Sequence, residues 1–186
     1  MTLMILGILL FAGVHLIPSL APGVKAAWLG KFGEGGYKGS FSLLLLLGLG
    51  LIIAGWRSTL PEFLYMPPAG LKHPAMGLLF IAFLLMVVSS RNSRLRQWIR
   101  NPQLTGVFLW GVAHLLLNGD IRSTVLFSSL SLWALLEIVA INRRDGPWVK
   151  PEVPTWGAEL VTLVNTAVVV VAVIFLHPYI SGMPVA

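Results

Sequence analysis

Trp110-Gly111-Val112-Ala113-His114-Leu115-Leu116-Leu117-Asn118-Gly119-Asp120 is the stretch that decides how this chain is read. It is apolar enough to sit in a bilayer, yet it holds a histidine and ends on Asn-Gly-Asp. A charged side chain near the centre of a membrane helix costs about 2.5 kcal/mol or more, so a titratable residue there usually has a partner or a task. Neutral imidazole is cheaper to bury, and it is a good ligand for iron. His114 is therefore the first candidate for chemistry.

Outward from that run, the composition places it in a membrane. Of 186 residues, 56% are hydrophobic and 11% charged, against roughly a quarter charged in a soluble domain. The mean hydropathy of +0.85 agrees. The absence of cysteine excludes disulfides, thiolate metal cages and iron–sulfur clusters. A net charge of +6 in a soluble chain would suggest nucleic acid. Here the charges fall between apolar runs, where they set topology and attract anionic lipid, so no nucleic-acid partner is expected. Walker, HExxH, GxSxG and deaminase signatures are all missing.

Six apolar segments follow one another: Leu3–Leu20, Phe41–Trp56, Ala75–Ser90, Gln103–Asn118, Thr124–Ile141 and Ala158–His177. Each approaches the ~20 residues that a helix needs to cross a bilayer. Pro and Gly fill the gaps, including Pro22, Gly33, Gly35 and Gly36 after the first segment. The first segment lacks a basic n-region and carries His15, so it reads as a retained span, not a signal peptide. The expectation is an all-α, polytopic membrane bundle of about six transmembrane helices, forming one domain over residues 1–186.

Lys and Arg orient it. Lys25, Lys31, Lys38, Arg91, Arg94, Arg96, Arg100, Arg143, Arg144 and Lys150 fall in loops one, three and five. Arg57, Lys72 and Arg122 fall in loops two and four. The positive-inside rule puts the odd loops in the cytoplasm and both termini outside, which in a bacterium is the periplasmic side of the inner membrane.

His15 and His114 are the two histidines inside apolar helices. One reading makes them axial ligands of a b-type haem between helices one and four. The other has each bond a neighbouring carbonyl and fix packing. Straight helices would set the two at depths about 10 Å apart. Asn118, Asp120 and Arg122 form a polar corner that either meets a haem propionate or polar substrate, or builds a tight turn with a local ion pair and an Asx cap. His73, before Pro74, reads as an interfacial helix start. Glu137, inside the fifth segment, invites pairing with a loop-three arginine or, less simply, proton carriage. Glu34 and Lys38 are four apart, but Gly35 and Gly36 argue against a helix between them. Gly50 and Ala54 suggest a close-packing face. Arg91, Arg94, Arg96 and Arg100 read as an anchor on the inner leaflet.

Phe11-Ala12-Gly13-Val14-His15, Gly33-Glu34 with Tyr37-Lys38 and Phe41-Ser42-Leu43, Asn101-Pro102, Trp110 through Asp120, and Arg143-Arg144 together resemble the NnrU family of bacterial membrane proteins. That family is related to the plant 15-cis-zeta-carotene isomerase. The resemblance implies a polytopic membrane protein linked to nitrite and nitric oxide reduction in denitrifying bacteria. From the carotenoid branch it implies haem b held by two histidines that match His15 and His114. That branch isomerises a double bond of a lipophilic polyene without net redox change. Its cysteine, proposed to swap with a histidine on reduction, falls at Gly111, and the histidine of its RHP element falls at Asn101. Two functions are therefore expected of a haem site, nitric oxide chemistry or polyene isomerisation. Without haem, the expectation is a factor for assembling a membrane reductase.

Overall fold

The computed structural model describes residues 1–183. Its helices are α1 (Thr2–Leu20), α2 (Pro22–Ser58), α3 (Lys72–Val88), α4 (Pro102–Leu117), α5 (Ile121–Asp145) and α6 (Trp156–Ser181). Short 3₁₀ turns at Ala69–Leu71 and Arg94–Gln97 lead into α3 and α4. Among the described residues the only β-type pairing is an isolated bridge between Phe63 and Asp120. The expected all-α bundle is thus present. Five helices are long and apolar enough to cross a membrane, and α4 is the shorter sixth. With 16 residues, α4 rises about 24 Å at 1.5 Å per residue, less than the ~30 Å hydrocarbon core.

Helix α5 lies in the middle. It packs on α1 to one side and α4 to the other; α2 covers α1, α3 covers α4, and α6 leans on α3 and touches α2. Lipid tails are as apolar as leucine, so helices in a membrane associate where small residues let backbones approach. Gly7 and Gly48 do this between α1 and α2: a Cβ on Gly7 would stand 2.6 Å from the Gly48 carbonyl oxygen. One on Gly55 would stand 2.2 Å from the Met4 backbone nitrogen. The close face is therefore Gly48 and Gly55. The expected pair, Gly50 and Ala54, faces outward: Gly50 has nothing within 4 Å and Ala54 is exposed. Met4 and Ile8 of α1, Ile52 of α2, and Leu126 and Phe127 of α5 form the buried apolar centre.

The second correction concerns residues 21–40, read above as a glycine-broken gap. Apart from Ala21 and Gly33 they are helical, and α2 begins at Pro22. The break is a single residue, Gly33, with φ 68° and ψ 178°, a region open essentially to glycine alone. The chain turns back there, so that the Trp28 indole N–H donates to Ser40 Oγ at 2.9 Å and its ring meets Tyr37 and Phe41. Helix continues through Gly35 and Gly36, and Glu34 pairs with Lys38 at 2.7 Å.

One end of the bundle joins the start of α1 to the ends of α2 and α6. The Met1 ammonium donates to Thr59 Oγ1, and Trp56 Nε1 donates to the Ser181 carbonyl at 2.9 Å. At the other end, Arg100 donates to the Gly146 carbonyl at 2.7 Å and Arg94 to that of Pro154 at 3.3 Å. Loops three and five are tied together there, as alternating helices require. Both ends of the described chain therefore lie on the face away from the arginine-rich loops.

Candidate functional site

His114 sits on α4, three residues before the helix ends. Its Nδ1 lies 2.8 Å from the Trp110 carbonyl oxygen. A carbonyl only accepts, so Nδ1 carries the proton and the lone pair resides on Nε2. The ring stacks on Phe127 of α5, with centroids 4.3 Å apart and planes 26° apart, and lies 4.7 Å from the Trp110 ring. His15 repeats the arrangement on α1. Its Nδ1 donates to the Phe11 carbonyl at 2.9 Å, and its ring lies 4.4 Å from Phe11 and 5.0 Å from Trp133. Neither Nε2 has a hydrogen-bond partner among the described residues. An imidazole oriented through Nδ1 with Nε2 bare is the form that binds metal.

Helix α5 holds both rings and also sets them apart. His114 meets Phe127 and His15 meets Trp133, six residues on, which is about 9 Å along the axis. The depth difference read from the spacing is therefore kept in the fold. Among the described residues no three His, Cys, Asp or Glu side chains gather as a metal cage would need. Iron at either histidine would depend on a macrocycle for its remaining ligands.

One helical turn before His114, Gly111 packs on α5. A Cβ there would stand 2.1 Å from Ser131 Oγ and 2.9 Å from the Phe127 carbonyl oxygen. No side chain fits, so this position cannot present a thiol without moving α4 off α5.

Below His15, Ser19 Oγ donates to Glu137 Oε1 at 2.6 Å. Glu137 is 5% exposed. The expected arginine partner is replaced by this serine: no Lys or Arg nitrogen lies within 4 Å of Glu137 among the described residues. Glu137 Oε2 and the Trp133 indole N–H, one turn apart on the same helix, are buried without partners. A donor and an acceptor thus stand open on the α1–α5 seam beside His15.

The polar corner is a turn and a strap. Asp120 caps α5, accepting from Ser123 N at 2.9 Å and from Ser123 Oγ at 2.5 Å. Arg122 Nη1 donates to the carbonyls of Trp56 at 3.1 Å and Thr59 at 2.8 Å, its guanidinium lies 4.2 Å over the Trp56 ring, and Nε is 3.6 Å from Asp120. The α2–α3 loop crosses this corner. Leu64 and Tyr65 N–H groups donate to the Gly119 carbonyl at 2.7 and 3.0 Å, and Ile121 N–H donates to that of Glu62 at 2.8 Å. The Tyr65 hydroxyl donates to the carbonyls of Leu115 and Asn118, while Asn118 Nδ2 donates to the His114 carbonyl at 2.9 Å. Asn118, Asp120 and Arg122 are thus brought together and tied mainly to backbone and to Ser123, with Arg122 Nε buried without a hydrogen-bond partner among the described residues. His73 is exposed at the start of α3 and joins none of this. Tyr65, Phe127 and Trp133 were not singled out by sequence. No motif marks them, since their partners lie on other helices.

Burial raises the Tyr65 phenol above its usual range, and the Asp120 charge raises it further. The hydroxyl keeps its proton to donate.

No curated protein and no solved structure matches the chain significantly. The family model described as NnrU protein matches residues 3–185. With nearly the whole length covered and the six-helix architecture in place, this chain belongs to the NnrU family.

Proposed function

We propose that this chain is a haem b protein of the bacterial inner membrane, acting in nitrite and nitric oxide metabolism, with His15 and His114 as the residues that hold iron. Both ends face the periplasm in this reading. The observation that carries it is the state of the two imidazoles. Each spends Nδ1 on its own helix, leaves Nε2 bare and is walled by aromatic rings. That donor chemistry suits haem. When bound, haem supplies an iron that takes nitric oxide or an electron. The chain's part is to hold the Nδ1 protons at Phe11 and Trp110 and to keep water out with Trp110, Phe127 and Trp133.

One iron takes both imidazoles only with their Nε2 atoms about 4 Å apart, since metal–imidazole bonds run about 2 Å. The rings rest on α5 residues about 9 Å apart. Shared ligation therefore asks α1 or α4 to slide along α5. That offset favours a second reading, in which His114 alone would hold the group and His15 would brace α1 against α5. The polyene isomerase reading is weaker here, because Gly111 stands where a thiol is needed and has no room for a side chain.

The test is a pyridine haemochrome assay on protein purified from haem-replete cells. About one b-type haem per chain supports the reading. A colourless, folded protein refutes it and favours a non-catalytic factor for a membrane reductase.

A further inference from the structure

Helices α3 and α6 meet along a narrow stripe centred on the buried Thr162 and Thr166. Beside it run two adjoining hollows of about 460 and 510 Å³ that share Ser90 and Arg91. The more apolar one is walled by Phe83, Met86 and Val87 of α3 and by Val168 and Val169 of α6. From Val88, where α3 ends just before Arg91, down to Phe83 is five residues, about 8 Å along the helix into the apolar layer. The groove is thus polar at its mouth and apolar along its length.

Its mouth holds an uncompensated charge. Arg91 Nε and Nη2 donate to the Asn165 side-chain oxygen at 3.0 and 2.6 Å, with the amide turned so that its oxygen faces the guanidinium. No carboxylate lies within 4 Å of Arg91 among the described residues. Glu159, on the same stretch of α6, is spent on Ser93 Oγ and the Arg94 N–H. The other arginines of this loop line neither hollow and have contacts of their own, although the buried Arg94 Nε has no hydrogen-bond partner among the described residues. Arg94 lies over the Trp156 ring and bonds Pro154, Arg96 bonds the Arg91 carbonyl, and Arg100 bonds Gly146. Arg91 is the one aimed at the groove, held in place by a neutral partner.

We infer that this groove binds one anionic phospholipid, its phosphate on Arg91 and one acyl chain laid between α3 and α6. Charge complementarity selects an acidic lipid over a zwitterionic one. The fixed guanidinium suits a phosphate oxygen pair, and the apolar walls suit a chain. The lipid would also fill the gap that leaves α6 so lightly attached. This does not depend on haem.

Native mass spectrometry of the full chain in detergent tests it, with phosphatidylglycerol and phosphatidylcholine of matched chains offered at equal concentration. One phosphatidylglycerol should be retained about tenfold better than phosphatidylcholine. Arg91→Gln should abolish that preference, whereas Arg143→Gln, which removes the same charge outside the groove, should keep it. Val168→Phe, which leaves the charge alone and fills the groove, should lower retention of phosphatidylglycerol. Equal retention of the two lipids, equal effects of Arg91→Gln and Arg143→Gln, or displacement by millimolar inorganic phosphate would each overturn the inference.

Discussion

Gly111→Ala tests the link between helix packing and the histidine site. Alanine in a helix is favoured over glycine by about 0.8–1.0 kcal/mol, so propensity alone predicts a more stable protein. Packing opposes it. The added Cβ stands 2.1 Å from Ser131 Oγ and 2.9 Å from the Phe127 carbonyl oxygen. Ser131 can rotate away, since its hydroxyl makes only a 3.5 Å contact to the Phe108 carbonyl. The Phe127 carbonyl cannot, being held in the α5 backbone, so α4 must withdraw by roughly half an ångström to restore contact distance. Overpacking of this kind costs about 1–3 kcal/mol. The net expectation is a loss centred on about 1 kcal/mol and reaching about 2, a factor of roughly 5 and at most about 30 in the folded-to-unfolded ratio. Unfolding titrations in mixed micelles, followed by far-UV circular dichroism, read this out. Gly50→Ala, with nothing within 4 Å, is the control and should gain about 0.5–1 kcal/mol. Ser131→Gly should leave Gly111→Ala largely unrescued, because the contact with the Phe127 carbonyl remains. If Gly111→Ala is as stable as Gly50→Ala, α4 does not pack on α5 as described.

Arg122→Gln strips the ties to Trp56 and Thr59 from a side chain that is 8% exposed. Breaking such a pair costs about 3–5 kcal/mol, and the Ser123 bonds to Asp120 place this case at the low end; the same titration checks it. Tyr65 ionises above the ordinary phenol range, so its stabilising contribution is whole below about pH 10 and is lost as pH rises through the higher folded value. Ultraviolet difference spectra check it: Tyr65→Phe should remove a late phenol transition. Gly33→Ala forces a side chain to φ 68° and ψ 178°. A loss of about 1–3 kcal/mol is expected, whereas Gly39→Ala, an open helical position, should be neutral or stabilising.

Much of the fold was legible because lipid simplifies it. A helix must satisfy its own backbone in the bilayer, so apolar runs between Pro and Gly locate every span but the second to within a few residues. Asp120, Ser123 and Arg122 are close in sequence, and the cap and ion pair they form could be read from their spacing. Residues 21–40 hold several glycines that look alike in sequence, whereas of these only Gly33 adopts a backbone that other residues cannot. The packing face of α2 is hidden in the same way. Gly48, Gly50 and Gly55 look alike in sequence, and only the position of α1 decides which of them is covered. Glu137 found Ser19 instead of an arginine because α1 and α5 meet there, a long-range fact with no local signal. For the same reason Phe127 and Trp133, which fix where both histidines lie, carried no mark of their own.

The claim on which the account turns is that His114 and His15 are ligands, and not merely residues that brace α4 and α1 against α5. Oxidised and reduced optical spectra of the purified protein and of its His114→Ala and His15→Ala variants test it most directly. The account predicts a Soret band that disappears in His114→Ala. If both imidazoles share the iron, His15→Ala turns a low-spin spectrum high-spin; if His114 holds it alone, His15→Ala leaves the spectrum unchanged. A haem spectrum that survives His114→Ala, or a folded wild-type protein with no Soret band, would contradict it.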